Sequence, residues 1–136
     1  MIETMIGNSI ANQCSPVLMD VKPSNLLILT REEEERFLEM EDIPGIWGIC
    51  LHRGEQKSIW LLYRKDRLEA LLLWPGTAEF LKSYGYQTEE STFDQMLARL
   101  AERFTEYKEG RVEFPHEMGA FLGYPLSDVK GFIEHE

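Results

Sequence analysis

The 136-residue chain is long enough to bury one hydrophobic core and short enough to be a single domain. It carries 24 acidic and 14 basic residues, so its formal net charge is −10. That charge disfavours nucleic acid and anionic membrane surfaces as partners, because binding to phosphates needs clustered Lys and Arg. No apolar run approaches the roughly 18 residues that would indicate a membrane span, and the N-terminus lacks a basic secretory segment. The sequence therefore predicts a cytoplasmic protein.

The two cysteines show neither CxxC nor zinc-site spacing, so we expect both to be reduced thiols. Cys50 lies in an apolar, strand-like pattern and is expected to be a small core residue. Cys14 precedes Ser15-Pro16 in a loop-like stretch, and we expect it to be the more accessible thiol. The sequence leaves open whether Cys14 has a functional role.

The first third of the chain predicts a helix, a strand and a second helix. Residues 1–14 form a weak helical pattern that we expect to end at Pro16, with an extended connection over residues 17–23. The apolar run 26–29 predicts a strand. Residues 31–41 predict the second helix.

A capping box marks the start of this second helix, because Thr30 is followed three residues later by Glu33. The acidic first turn is interpreted as a solvated helix start rather than a cation site. Phe37 and Leu38 are expected on the buried face of the helix. Asp42-Ile43-Pro44-Gly45 is expected to end it.

The clearest strands are 46–52 and 58–64, which are rich in Ile, Leu, Trp and Tyr and are joined by a polar, glycine-containing turn. They predict a β-hairpin that is covered on both faces, at least in part. With the 26–29 strand, this hairpin predicts a small, mostly antiparallel sheet packed by helices. The expected fold class is therefore α+β, in one domain over residues 1–136.

Two short helices are predicted after the hairpin. The first covers residues 66–73, with Asp66 as its N-cap. The second covers residues 77–84, with Thr77 as its N-cap and Gly85 just past its C-terminus.

The longest predicted helix covers residues 91–109, with Ser91 or Thr92 as its cap and Gly110 at its end. An edge strand over 86–90 is expected before it. The apolar residues of the helix 91–109 recur at helical spacing and predict a continuous core stripe. The stripe consists of Phe93, Met96, Leu97, Leu100, Ala101 and Phe104.

The C-terminal stretch predicts a helix-turn-helix-like pair over 115–122 and 125–134, with a turn at Gly123. Gly119 and Gly131 are expected to allow close contact between helices. The pair has the spacing of a DNA-reading motif, but its second helix carries Lys130 as its only cation. Packing is therefore the preferred interpretation of the pair.

Three segments together resemble the DUF3793 family of bacterial and archaeal proteins. They are Lys22-Pro23-Ser24-Asn25-Leu26, the strand end Leu62-Tyr63-Arg64 and, above all, the motif FPHEMGAFLGYPLSDVKGFIE at 114–134. The resemblance covers most of the chain and implies no established biochemical function. Members of this family usually continue with a glycine-rich, aromatic segment of the type GYWKVY, and this chain ends at Glu136.

The candidate binding residues are drawn from this motif and its expected neighbours: His116, Glu117, Lys22, Arg64 and Tyr124. Neighbouring helical residues point about 100° apart, so His116 and Glu117 do not form a simple shared face. A metal site there would need further ligands from elsewhere in the chain.

Three functions are weighed on this basis. A small binding or regulatory module is preferred, because no complete catalytic constellation is present. An enzyme or metal-binding protein with a site around His116 and Glu117 is the first alternative, and DNA binding through residues 115–134 is the second. The sequence identifies no reaction, cofactor or oligomeric state, and it leaves a protein and a small molecule open as partners.

Overall fold

The computed structural model describes residues 2–88 and 93–134 of the chain. These residues form seven helices and one three-stranded antiparallel sheet, so the predicted α+β class is confirmed. The elements are α1 (Ile2–Leu18), β1 (Ser24–Thr30), α2 (Arg31–Glu39), β2 (Trp47–Arg53), β3 (Lys57–Tyr63), α3 (Lys65–Leu73), α4 (Pro75–Lys82), α5 (Phe93–Lys108), α6 (Met118–Phe121) and α7 (Leu126–Glu134). None of the described helices combines the length and apolarity needed to cross a membrane.

The chain divides into two compact units, Met1–Lys65 and Asp66–Glu136. The first unit contains the sheet, and the second is helical within the part of the chain that the structure describes. That the whole chain forms one domain stays a prediction.

The sheet of the first unit has the order β1-β3-β2, so the last strand in sequence is the central one. The predicted hairpin is confirmed: Trp47 pairs with Tyr63 and Gly48 with Leu62. A β-bulge interrupts this register between Cys50 and His52.

The outer edge of β1 is covered by the side chains of α1. The Gln13 carboxamide donates to the Ile28 carbonyl at 2.9 Å and accepts from the Ile28 N–H at 2.8 Å. The Cys14 thiol donates to the Leu26 carbonyl at 3.4 Å. Because these groups occupy positions that a further strand would use, α1 protects this edge from unwanted pairing.

The predicted end of the first helix at Pro16 is wrong, because α1 consists of two helical pieces that meet at a break at Cys14, and Pro16 lies inside the second piece, which ends at Leu18. The backbone bends at Cys14, where φ is −123° and ψ is 20°, and this kink accommodates the missing proline N–H. Residues 17–23 therefore do not form an extended connection. They complete the last helical turn and then pass through a turn and bends into β1.

The capping box of α2 is confirmed: the Thr30 hydroxyl accepts from the Glu33 N–H, and the Glu33 carboxylate accepts from the Thr30 N–H. The expected buried position of Leu38 is wrong, since Leu38 is 60% exposed. Glu34 is buried instead. The helix turns Glu34 inward because hydrogen-bond donors are available there to satisfy its charge.

These donors belong to the hairpin. Arg53 Nε donates to Glu34 at 2.8 Å, and Trp60 Nε1 donates to its second oxygen at 2.9 Å. The Arg53 guanidinium is the main reason that the pKa of Glu34 is lowered.

Cys14 was expected to be the more accessible of the two thiols, but it is the more buried one. Cys14 is fully buried, and burial raises the pKa of its thiol to about 12. Cys50 is only partly buried. The order is reversed because Cys14 lies on the inner face of α1, among residues of β1 and β3 such as Leu27 and Leu62.

In the second unit, the helices 66–73 and 77–84 are confirmed with shifted starts and different caps. Asp66 lies within the first turn of α3, which begins at Lys65. Thr77 is buried inside α4, which begins at Pro75 with Trp74 as its N-cap. Pro75 causes this shift because its ring presets φ for a first helical position. Gly85, with φ of 88°, occupies the expected left-handed position after the helix.

Helix α5 confirms the longest predicted helix, and Gly110 ends it with φ of 77°. Its predicted caps Ser91 and Thr92 lie outside the described residues. Residues 86–88 form no strand, and the rest of the expected edge strand is also outside the described residues. The buried positions of the predicted stripe are Met96, Leu97, Leu100 and Phe104.

The first helix of the C-terminal pair is shorter than predicted. Only Met118–Phe121 is helical, because Pro115 and His116 form tight turns in which their carbonyls accept from Met118 and Gly119. The predicted turn at Gly123 is confirmed by its φ of 83°.

Helices α6 and α7 make one close contact. A Cβ at Gly119 would lie 2.9 Å from Cγ2 of Val129, so the expected role of Gly119 is confirmed. The same role for Gly131 is wrong, because no described atom outside its neighbouring residues and the backbone of α7 lies within 4 Å of a Cβ built there.

Candidate binding groove

The C-terminal segment forms an open groove of about 300 Å³ within the second unit. Met118, Leu122 and Val129 contribute apolar side chains, and the walls are aromatic. The lining residues are Phe114, His116, Met118, Gly119, Leu122, Tyr124, Asp128 and Val129.

Local backbone geometry gives the groove its shape. The Tyr124 N–H donates to the Gly119 carbonyl at 3.0 Å, closing a turn that the left-handed Gly123 makes accessible. The contact between Gly119 and Val129 brings α6 and α7 together. These short-range constraints position Tyr124 beside the start of α7.

A chain of aromatic rings connects the groove to the buried side of α5. Phe104 and Tyr107 have ring centres 5.8 Å apart, Tyr107 and Phe114 are 5.2 Å apart, and Phe114 and His116 are 5.5 Å apart. All three pairs meet edge to face, which is a favoured arrangement for aromatic rings. Buried Phe104 thus supports the two groove rings through Tyr107.

Glu117 has a separate environment from this groove. Its carboxylate is fully buried and accepts from the Tyr86 hydroxyl at 2.9 Å and from both Nε and a terminal nitrogen of Arg103. Burial, followed by the Glu117 charge, raises the pKa of Tyr86, and the bond to Glu117 raises the pKa of Arg103. This network attaches the turn before α6 to α5.

The charge of the groove is negative. Asp128 is exposed at its edge, and the described lining residues include neither Lys nor Arg. The nearby Lys130 is directed elsewhere, since its ammonium lies 5.9 Å from the centre of the Phe80 ring. An anionic ligand would therefore find neither Lys nor Arg among the described lining residues.

Two of the predicted site residues come together in the groove, namely His116 and Tyr124. Glu117 does not line it, because its side chain is held by Tyr86 and Arg103. Lys22 and Arg64 belong to the N-terminal unit and are not lining residues.

Arg64 has a clear structural role in the N-terminal unit. Its guanidinium donates to the carbonyls of Val17 and Leu18, each at 2.9 Å, and pairs with Asp20 at 3.3 Å. It therefore satisfies carbonyls at the end of α1, where a cation also suits the helix dipole. Lys22 is partly buried nearby in sequence, and its backbone N–H donates to the Pro16 carbonyl.

Sequence reasoning missed Phe114 and Asp128 as lining residues and Arg103 as the partner of Glu117. Arg103 could have been found as a cation directly beside the apolar stripe of α5, next to Phe104. Asp128 was recognisable only as a carboxylate on the second helix of the pair. Phe114 precedes that pair and is the first residue of the motif at 114–134, so the motif could have indicated it.

A smaller groove of about 200 Å³ lies in the first unit, beside the exposed Trp47. Ligand pockets usually begin at about 300 Å³, so the C-terminal groove is the stronger candidate. Within residues 2–88 and 93–134, no three His, Cys, Asp or Glu side chains converge as metal ligands.

The fold and the groove define a small α+β protein with a largely apolar, ligand-sized groove on its C-terminal helical pair. Residues 10–136 match the family DUF3793, described as a protein of unknown function, and the chain belongs to this family. The predicted resemblance is thereby confirmed. No curated protein matches the chain. No solved structure matches it.

Proposed function

We propose that the chain is a small cytoplasmic binding module and that its site is the C-terminal groove. The observation that carries this proposal is the cavity of about 300 Å³ lined by aromatic and aliphatic side chains. Concave, largely apolar sites with a few polar groups are the usual binding sites for small molecules. The ligand we propose is a small molecule with an apolar body.

Contacts behind the groove hold its lining residues in place, and this favours binding. Behind it, the Glu117 carboxylate attaches the turn before α6 to Arg103, and Phe114 packs edge to face on Tyr107. A site held in this way loses little conformational freedom when a ligand enters, which lowers the cost of binding.

The two alternatives lack a comparable observation. A catalytic or metal site around His116 and Glu117 would need both side chains at one point, yet the Glu117 carboxylate is occupied by Arg103 and Tyr86. DNA binding through α6 and α7 would need a basic second helix, and Lys130 is the only cation in α7. The binding module is therefore the function we propose.

Titration with 2-phenylethanol, a neutral probe of suitable size, tests the proposal. The methyl group of Met118, labelled with ¹³C, reports from within the groove, and that of the exposed Met19 reports on non-specific effects. We expect the NMR chemical shift of the Met118 methyl group to change in a saturable way during the titration, and that of the Met19 methyl group to stay constant.

The matched variants are Tyr124→Ala, which removes a lining ring, and Trp74→Ala, which removes an exposed ring outside the groove. We expect Tyr124→Ala to weaken binding several-fold and Trp74→Ala to leave it unchanged. Absence of a saturable Met118 shift, or equal binding by both variants, would overturn the proposal.

A further inference from the structure

We infer that the ligand of the groove carries a positively charged amino group next to its apolar body. This inference rests on the proposed function and specifies the chemical class of the ligand. It follows from the sign of the charge at the groove and from the ring faces around it.

Asp128 is the first part of the argument. It is the carboxylate among the described lining residues, and it lies in the first turn of α7 at the edge of the apolar surface formed by Met118 and Val129. An amine bound there would place its ammonium beside the carboxylate and its apolar body on that surface. A carboxylate ligand in the same position would be repelled.

The aromatic walls are the second part. Phe114 and Tyr124 are 40% and 52% exposed, so their rings are accessible to a ligand. The faces of aromatic rings carry negative partial charge and attract ammonium groups. Rings and carboxylate therefore favour the same ligand charge.

Two further charge features act in the same direction. Lys130, two residues after Asp128, directs its ammonium to Phe80 rather than into the groove. The net charge of −10 also raises the local concentration of small cations around the protein. Since this last effect is not specific to the groove, an experiment has to separate it from binding at Asp128.

Three probes of similar size separate these effects: 2-phenylethylamine, 2-phenylethanol and phenylacetate, each titrated against the wild-type protein with the Met118 methyl as reporter. We expect the amine to bind about three- to tenfold more tightly than the alcohol, since an exposed ion pair and a ring contact each contribute modestly. Phenylacetate should bind most weakly. The preference for the amine should shrink as salt is added.

The matched variants are Asp128→Asn and Asp94→Asn, which each remove an exposed carboxylate from the first turn of a helix in the second unit. We expect Asp128→Asn to weaken amine binding about two- to fivefold without changing alcohol binding. Asp94→Asn should leave both unchanged.

The outcomes distinguish this inference from the proposed function. If the amine and the alcohol bind equally, or if Asp94→Asn matches Asp128→Asn, the inference fails while the groove remains a binding site. If none of the three probes gives a saturable shift at Met118, both fail.

Discussion

The Glu117 carboxylate and the Arg103 guanidinium form a two-point ion pair in which Glu117 is fully buried. The pair joins the turn before α6 to the middle of α5, and the Tyr86 hydroxyl provides a further hydrogen bond. Removing one partner of a buried pair leaves the other charge uncompensated in the interior. The stability lost in this way is larger than the stability lost when a solvent-exposed pair is broken. This contact is therefore a structural support for the groove rather than a part of its surface.

Replacing Glu117 with Gln should lower the free energy of unfolding by about 3 kcal/mol, because Arg103 would keep a partly buried charge without its partner. Urea denaturation measures the change. Glu102→Gln, which removes an exposed partner of Arg99, is the control and should change stability by less than about 0.5 kcal/mol. Equal losses in the two variants would contradict the assigned role of Glu117.

The buried Glu34 should make stability depend on acid pH. Arg53 is the main cause of its pKa lying below the ordinary value of 4.5, so the folded protein releases this proton more readily than the unfolded chain. The resulting stabilisation is present above pH 4.5 and is lost as the pH falls through the lowered pKa. We expect Glu34→Gln to flatten the decline in unfolding free energy below pH 4.5.

Arg53→Gln supplies the control for this pH dependence, because it removes the main cause of the shift and keeps the carboxyl group. Arg53→Gln should also flatten the decline in unfolding free energy at acid pH. The double variant Glu34→Gln/Arg53→Gln should show little more flattening than either single variant. An unchanged slope in Arg53→Gln would show that another group produces the acid sensitivity.

Cys14 should resist alkylation in the folded protein. At pH 8, a thiol with a pKa of about 12 is ionised in only about one molecule in ten thousand, and Cys14 is also fully buried. Treatment with iodoacetamide followed by peptide mass spectrometry should detect modification at the partly buried Cys50 well before Cys14. Both should react once the protein is unfolded in urea. Faster labelling of Cys14 in the folded state would contradict its buried position on the face of α1 that packs on β1.

Alanine substitutions at two glycines should have opposite effects. Gly119→Ala should destabilise the protein by about 1–3 kcal/mol, because the new methyl group would lie 2.9 Å from Val129. Gly131→Ala should stabilise it by about 0.5–1 kcal/mol, because α7 gains a better helix former where no described atom is close. Thermal unfolding measures both, and combining Gly119→Ala with Val129→Ala should recover part of the loss. A Gly119→Ala variant as stable as the wild type or more stable would contradict the close contact of α6 and α7.

The features that the sequence predicted correctly depend on residues close together in the chain. The Thr30–Glu33 capping box, the hairpin and the left-handed Gly85 and Gly110 all follow from spacings of a few residues. The burial of Glu34 depends instead on Arg53, 19 residues away, and on Trp60, 26 residues away. Local periodicity cannot indicate such partners, and it therefore placed Leu38 inside.

The candidate site also has some features that are set by nearby residues in the sequence and others that depend on distant partners. His116 and Tyr124 were found because a distinctive motif contains them, and they do line one groove. Glu117 belongs to the same motif, but its environment is set by Tyr86, 31 residues earlier, and Arg103, 14 residues earlier. Arg64 was grouped with these residues by resemblance, whereas its contacts are at the end of α1.

The central position of β3 has a consequence for synthesis on the ribosome. β1 and β2 hydrogen-bond only to β3 within the sheet, so neither has its strand partner until residues 57–63 have emerged. The Arg64 contacts at the end of α1 become available immediately afterwards. The N-terminal unit therefore completes its sheet only near its last residues, and until then the apolar strands β1 and β2 lack the strand that pairs with both of them.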